Sequence, residues 1–282
     1  MPCSRWPPWK RRHTIAIAVA ASVLSTEETL QLKTLKAGVI ARAAALYRVD
    51  KVIIYKDKFS SKKDYKLLRL LLEYISTPPY LRKRLFPLLP ELRAAGLLPP
   101  LRIPLHDIPR RPARNLVMEG LVEECTSGVC RVFLGSYGYG LLRGNSKPGK
   151  RILVRIIDED KLLLERVTDP DFYTGFRVEA NPDLPRVLDR YRDHGYTIIG
   201  TSKKGECYSR EAIQEYEDSK GFLVVFGGPT GSVVDEASPD LYDLVLNTIP
   251  MQGTKTVRTE EAIHATLAIL NSTLESQRLY NP

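Results

Sequence analysis

The sequence predicts an α/β protein in which a small all-β module interrupts a single parallel α/β domain. Strand and helix patterns alternate over residues 14–75, short strands without helices occupy residues 116–167, and the alternation resumes after Pro170. Alternating strands and helices are typical of a parallel sheet, whereas a run of short strands favours a barrel. With 43% hydrophobic and 27% charged residues, the composition is that of a globular protein and excludes disordered and low-complexity classes.

The first unit contains two strands and two helices. The predicted elements are strand 14–20, helix 26–48, strand 51–56 and helix 62–75. Ser25-Thr-Glu-Glu28 has the pattern of a capping box for the first helix, in which Leu32, Leu35, Val39 and Leu46 recur at helical spacing. Residues 1–12 are predicted to form a flexible basic tail.

The N-terminus also has a feature of secreted proteins. Lys10-Arg11-Arg12 precedes an apolar run over 14–24, as in a signal peptide. The uninterrupted strand, helix, strand pattern that follows favours a domain core, so we expect a cytoplasmic protein. No apolar run reaches the length of a membrane span, and no membrane association is expected.

Nine prolines between residues 77 and 114 exclude a long helix or a central strand there. The predicted strands of the β module are 116–124, 129–134, 151–157 and 162–167, which suit a small barrel of the OB type. Later strands are predicted near 175–178, 197–200, 222–226 and 244–246, with helices near 185–194, 210–218 and 259–277. The domains are therefore an α/β domain over 13–96 and 169–282, and an inserted OB-like barrel over 97–168.

The charge is unevenly distributed. Residues 1–96 have 19 basic and 7 acidic side chains, residues 97–168 have 12 and 8, and residues 169–282 have 11 and 18. A basic N-terminal part predicts a polyanionic partner such as nucleic acid, although basic residues also serve solubility. The acidic final third is poorly suited to binding phosphates.

The four cysteines are too few for a disulfide-dominated fold. Cys125 and Cys130 flank a predicted turn, so they are either cross-strand neighbours or a disulfide. Since no second Cys or His pair lies nearby, we expect no metal site. The first strand–helix turn lacks glycine and the chain has no P-loop motif, which argues against NAD chemistry and P-loop nucleotide hydrolysis.

Three loops rich in glycine and small polar residues follow predicted strands in the last third. They are residues 200–202, 227–231 and 247–254. Ligands of open α/β sheets bind at the carboxyl ends of the strands, so three such loops in succession predict a cofactor pocket. Each loop taken alone has the composition of an ordinary turn.

The same loops resemble those of a known family. Ile249-Pro-Met-Gln-Gly-Thr-Lys-Thr-Val-Arg-Thr-Glu-Glu-Ala262 resembles the knot segment of SPOUT methyltransferases, and Leu223-Val-Val-Phe-Gly-Gly-Pro-Thr-Gly231 resembles their middle cofactor loop. Residues 36–49 are similar to the SpoU-type motif Asn-x-Gly-x-x-x-Arg, with Lys36 in place of the Asn. The inserted barrel resembles the archaeal and eukaryotic uridine-N3 methyltransferase branch.

The resemblance implies a trefoil-knotted, Rossmann-like fold, a homodimer and S-adenosylmethionine as cofactor. Gly227 and Gly228 are expected to leave room for the ribose and the methionyl part. Backbone groups near Leu246, Ile249 and Val257 are expected at the adenine edge. The full set of predicted cofactor residues is Thr201, Gly227, Gly228, Pro229, Leu246, Asn247, Ile249, Gln252, Gly253, Thr254, Val257, Thr259 and Ala262.

Arg42 is the candidate catalytic residue because it aligns with the arginine of the SpoU-type motif. A helix-surface salt bridge is the alternative role for this side chain. No carboxylate pair or histidine is identifiable as the general base.

Thr259 is expected to cap the last helix, with Glu260 and Glu261 in the first turn. Part of the stripe formed by Ile263, Leu267, Leu270 and Leu274 is expected in a twofold interface.

The barrel is the predicted RNA-binding module, because such barrels hold single strands by charge and base stacking. The candidate residues are Arg131, Tyr137, Tyr139, Arg143, Lys147, Lys150 and Arg151. Filling of the barrel core is the alternative role for the aromatic residues.

The predicted function is S-adenosylmethionine-dependent methylation of a uridine base, at N3, in ribosomal RNA. Ribose 2′-O-methylation, protein arginine methylation and a catalytically inactive RNA-binding assembly factor are the alternatives.

Overall fold

The computed structural model describes residues 5–231, 233 and 238–280. Its strands are β1 (Thr14–Ala20), β2 (Lys51–Tyr55), β3 (Val117–Thr126), β4 (Val129–Phe133), β5 (Tyr139–Arg143), β6 (Arg151–Asp158), β7 (Leu163–Arg166), β8 (Arg177–Ala180), β9 (Tyr196–Cys207), β10 (Gly221–Phe226) and β11 (Leu244–Asn247). The helices are α1 (Leu30–Leu46), α2 (Lys62–Ser76), α3 (Pro79–Leu85), α4 (Leu184–Asp193), α5 (Arg210–Gln214) and α6 (Thr259–Tyr280).

A six-stranded parallel sheet forms the α/β domain, in the order β11-β9-β10-β1-β2-β8. The central strands β1 and β10 are apolar along almost their whole length and are buried on both faces, as parallel sheets covered by helices require. This confirms the predicted α/β class. Because β11 pairs with β9 rather than with β10, three successive strands end side by side at one sheet edge.

Helix α1 differs from the prediction in its start and in its buried face. A short 3₁₀ helix occupies Ala21–Leu24, and α1 begins at Leu30 with the Thr29 side chain accepting from the amide of Leu32, so the capping box at Ser25 is wrong. The apolar stripe faces outward, with Leu32, Leu35, Val39 and Leu46 between 40% and 55% exposed. The buried face consists mainly of alanines, whose small side chains let the helix pack closely in the core.

Strands β3 to β7 close into a separate barrel, which confirms the inserted β module. Strand β5 was missed, because its Tyr- and Gly-rich start has the composition of a flexible loop. It completes the barrel by pairing with β4 and, in parallel, with β7. Cys125 and Cys130 lie directly opposite each other on β3 and β4 and form a disulfide. The predicted domain boundaries at 96/97 and 168/169 stay predictions.

The predicted N-terminal tail makes contacts in its last part. Trp9 bridges to Phe172, and Arg11 is only 7% exposed, donating to the carbonyl of Tyr47 and to Asn271. Arg11 thus holds this part of the chain against α1 and α6, while the flexibility of the tail stays a prediction. Residues 1–4 lie outside the described residues.

Candidate cofactor and RNA site

A cavity of about 430 Å³ opens at the carboxyl ends of β9, β10 and β11. Ten of the predicted cofactor residues line it: Thr201, Gly227, Gly228, Pro229, Leu246, Asn247, Ile249, Gln252, Val257 and Thr259. Seven further lining residues were not predicted: Ser202, Lys203, Lys204, Thr230, Gly231, Thr248 and Thr256. Gly253, Thr254 and Ala262 are absent from the lining. The volume suits a ligand of cofactor size.

The first wall is a bulge at the end of β9. The pairing with β11 jumps from Gly200 opposite Val245 to Glu206 opposite Leu246, so residues 201–205 loop out toward the cavity. A Cβ at Gly205 would lie 2.5 Å from the Val245 carbonyl oxygen, so glycine is required there. The Asn247 side-chain amide donates to the Lys203 carbonyl at 3.2 Å and holds the bulge in place.

The second wall is the loop after β10, which is tied to the start of α6. The Thr259 hydroxyl donates to the Gly227 carbonyl at 3.0 Å. Thr259 is thus the first helical residue and a bridge between two loops, not the expected cap. The capping carboxylate is Glu261, which accepts from the amide of Arg258 at 2.9 Å.

Gly228 lines the cavity, and its expected role of leaving room for the cofactor stays a prediction. A Cβ at this position would lie 2.2 Å from Ser22 Oγ and 2.5 Å from Asp57 Oδ2. The space beside Gly228 is therefore filled by these two buried side chains, and the glycine lets the loop lie directly against them.

The third wall is the segment after β11, which the resemblance places in the knot. Asn247 Oδ1 accepts from the Ile249 amide at 3.0 Å and fixes the turn. Gln252 Nε2 donates to the carbonyls of Thr254 and Lys255, so the tip of the loop is bonded to itself. This internal bonding keeps the exposed Gly253 and Thr254 out of the cavity lining.

Charged side chains lie behind the second wall, where Lys36 and Glu260 are buried and Glu27 is partly exposed. Lys36 contacts Glu27 at 2.6 Å and Glu260 at 3.5 Å, and its hydrogen bond lowers the pKa of Glu27. Asp57 accepts a hydrogen bond from the Ser22 hydroxyl at 2.6 Å. Within residues 5–231, 233 and 238–280 there is no cluster of metal-ligating side chains.

Comparison with known proteins identifies the family. A family model described as "Putative RNA methyltransferase" matches residues 14–270. An uncharacterised protein of Halobacterium salinarum is 33% identical over 92% of this chain and 99% of its own length. The human protein named 28S rRNA (uridine-N(3))-methyltransferase is 31% identical over 92% of this chain and 78% of its own length. The chain belongs to this RNA methyltransferase family.

Among solved structures, the SpoU methyltransferase AviRb from Streptomyces viridochromogenes, in complex with AdoMet, aligns with 98% of this chain and 63% of its own. The sequence identity is 12% and the TM-score is 0.40. Family membership confirms the predicted RNA methyltransferase class, and with it an enzyme that uses S-adenosylmethionine. None of the helices in the described residues is long and apolar enough to cross a bilayer.

Arg42 of this family member does not line the cavity. Its guanidinium donates to the carbonyls of Leu101 at 2.6 Å and Pro100 at 3.3 Å, and so holds the proline-rich linker against α1. Gly38, one turn earlier, contacts the same linker, since a Cβ there would lie 2.5 Å from Pro99 Cδ. In a single chain, Arg42 is placed to anchor the linker.

The outer face of the barrel carries an aromatic ladder, defined here as Arg84, Phe133, Tyr139 and Arg131. The Arg131 guanidinium lies 3.8 Å from the Tyr139 ring centroid, Tyr139 lies 5.5 Å from Phe133, and Arg84 lies 5.8 Å from Phe133. Tyr139 and Arg131 are among the residues predicted from the sequence to bind RNA, whereas Arg84 is not. Arg84 belongs to α3, outside the barrel strands, so only the tertiary structure brings it here.

Three of the predicted RNA-binding residues pair with other residues of the protein. Arg131 forms an ion pair with Glu124 at 3.4 Å. Arg151 forms a bidentate ion pair with Glu119 and donates to the Thr77 hydroxyl. The Tyr137 hydroxyl donates to the carbonyls of Pro109 and Arg111. By contrast, Arg143, Lys147 and Lys150 are exposed.

Proposed function

We propose that the protein transfers a methyl group from S-adenosylmethionine to N3 of a uridine in ribosomal RNA. The observation that carries the proposal is that the similarity to the human uridine-N(3)-methyltransferase covers 92% of this chain, the cavity and the barrel together. A relative that shared the α/β domain alone would support the cofactor and leave the substrate open. An RNA substrate also agrees with the cytoplasmic location that the sequence predicts.

The cavity fits the cofactor. Leu246, Ile249 and Val257 offer apolar surface for an adenine ring, while Thr201 and Asn247 offer polar groups. When bound, S-adenosylmethionine supplies an electrophilic methyl group on a sulfonium. The residues of this chain bind and orient the two reactants where the three loops meet.

The barrel provides the RNA-binding surface. The aromatic ladder offers rings and guanidinium planes for base stacking, and the exposed Arg143, Lys147 and Lys150 offer charge for phosphates. An enzyme that modifies a base nitrogen must take the base unstacked, which a single-strand grip assists.

We also propose a homodimer, formed through α1. The stripe Ile263, Leu267, Leu270 and Leu274 of α6 is at most 7% exposed within one chain, so it is not available for the interface expected from the sequence. The exposed stripe of α1 (Leu32, Leu35, Val39 and Leu46) is the apolar surface that a second copy would cover. Arg42 lies on the same helix, so a dimer would bring it close to the partner.

The deciding experiment uses isotope-labelled S-adenosylmethionine and unmodified ribosomal RNA, followed by nucleoside mass spectrometry. We expect label in 3-methyluridine. Label in a ribose would support 2′-O-methylation, and label in protein arginine would support protein methylation. RNA binding without any label would support the inactive assembly factor. The Gly228→Arg variant is the inactive control, because any side chain at this position collides with Ser22 and Asp57.

A further inference from the structure

Asp57 is a buried carboxylate without a cationic partner. It is 6% exposed, and its two oxygens accept hydrogen bonds from the hydroxyls of Ser22 and Ser60. No ion pair within the described part of the chain includes it. Two neutral hydroxyls satisfy its hydrogen bonding but leave its charge uncompensated, which is costly in a protein interior.

A second carboxylate, that of Glu260, has a buried oxygen without a partner. Lys36 is shared by Glu27 and Glu260, so two carboxylates face one ammonium group. Glu260 is 8% exposed, and its Oε2 is buried without a hydrogen-bond partner. Arg258 is a second cation that acts on Glu27, so the part of this cluster without a partner is the buried Oε2 of Glu260.

Both charges lie on the same side of the cavity. Asp57 touches the back of Gly228, whose front lines the cavity, so one thickness of backbone separates the carboxylate from a ligand. Glu260 directly follows Thr259, which lines the same wall. The charged residues of the described lining are the exposed Lys203 and Lys204 in the bulge of β9, and this lining contains no carboxylate. The cavity thus has a negative inner wall and a positive mouth.

This polarity matches one property of the cofactor. A sulfonium is a cation that cannot donate a hydrogen bond, so a protein recognises its charge through nearby negative charge. Once the methyl group has left, the sulfur is a neutral thioether and that attraction is lost. In a partly buried site, an unscreened charge a few ångströms away changes affinity by about tenfold.

We propose that Asp57, assisted by the cluster of Glu27, Lys36 and Glu260, makes the cavity select the sulfonium cofactor over its neutral thioether product. The inference rests on the proposed function, since it takes S-adenosylmethionine as the ligand. The negative wall favours binding of the methyl donor and release of S-adenosylhomocysteine. The positive charge of Lys203 and Lys204 leaves the entrance of the cavity open to a polyanion.

The test is isothermal calorimetry of the full chain with each of the two ligands. In Asp57→Asn, which keeps the size of the side chain and removes its charge, we expect S-adenosylmethionine to bind about tenfold more weakly. S-adenosylhomocysteine should bind as before. Asp64→Asn is the matched control, because Asp64 is also 6% exposed but is ion-paired with Lys33 at 2.5 Å. Its ratio of the two affinities should equal that of the parent.

Glu260→Gln is the second variant. It should lower the affinity for S-adenosylmethionine relative to that for S-adenosylhomocysteine, and it keeps the test open if Asp57→Asn fails to fold. Equal weakening of both ligands, or an unchanged ratio in both variants, would overturn the inference and leave the proposed function standing. If the parent binds neither ligand, the proposed function fails, and the inference fails with it.

Discussion

At the scale of single residues, the chemistry of the site depends on what each side chain faces. Gly228 shows this most clearly. A glycine in a loop after a strand predicts either a turn or a close approach to a ligand. The structure also places Ser22 and Asp57 against it, from segments about 170 to 200 positions away in the sequence. No local pattern contains that information, because the contact exists only after the sheet has formed.

The first prediction follows from this contact. Gly228→Ala should weaken S-adenosylmethionine binding and destabilise the protein by about 1–3 kcal/mol, since a methyl group must displace two buried, hydrogen-bonded side chains. Gly253→Ala is the control, because nothing lies within 4 Å of its added Cβ. Calorimetry and thermal unfolding measure the two effects. Parent-like binding and stability in Gly228→Ala would contradict the packing described here.

At the scale of elements, two surfaces have a composition that the sequence reveals and an orientation that it does not. Helix α1 has leucines on one face and alanines on the other, and the alanine face is the buried one. The barrel contains many arginines and lysines, of which Arg151 is committed to Glu119 and Thr77. Counting basic residues therefore overestimates the charge that is available to RNA.

The second prediction tests the basic residues of the barrel that are exposed. Replacing Arg143, Lys147 and Lys150 together by Ala should weaken RNA binding and flatten the plot of log affinity against log salt by about 0.7 per lost phosphate contact. Cofactor affinity should stay unchanged, since these residues do not line the cavity. Fluorescence anisotropy over a salt series measures the RNA affinity and the slope of its salt dependence.

A matched variant tests stacking instead of charge. Tyr139→Ala should cost about 1–3 kcal/mol in RNA binding with an unchanged salt slope, because the ring contributes stacking. Parent-like affinity and slope in the triple variant would show that the barrel is a spacer. The RNA site would then have to lie on the basic surface of α2.

At the scale of the whole molecule, the half-buried His106, in the segment that precedes the barrel strands, contacts the end of α2. Burial lowers the pKa of His106 to about 4, and its Nε2 lies 3.2 Å from the Ser76 carbonyl at the end of α2. The unfolded chain takes up a proton near pH 6.5, whereas the folded chain does so only near pH 4. Acid therefore favours the unfolded state between these values.

The third prediction is that the free energy of unfolding falls by about 2 kcal/mol between pH 7 and pH 5 because of this residue. Urea unfolding at several pH values measures the loss. His106→Asn should show a shallower dependence on pH over the same range. An identical slope in the variant would assign the acid sensitivity to other groups.

The fourth prediction concerns assembly. Light scattering should report a dimer at micromolar concentration, and Leu35→Glu together with Val39→Glu should produce a folded monomer, because both side chains are at least 40% exposed in one chain. Leu88→Glu is the control, since Leu88 is fully exposed and lies outside α1. A monomeric parent protein would contradict the proposal.

The sequence by itself determined the α/β class, the inserted barrel, the family and most of the cavity lining, because these depend on local periodicity and on motifs that remain contiguous along the chain. The tertiary structure decided which face of α1 is buried, that Arg42 anchors the linker and that Arg151 pairs with Glu119. It also brought Asp57 behind Gly228. These contacts join residues far apart in the chain, and their partners are chosen by packing against the completed sheet and barrel, which no local pattern records.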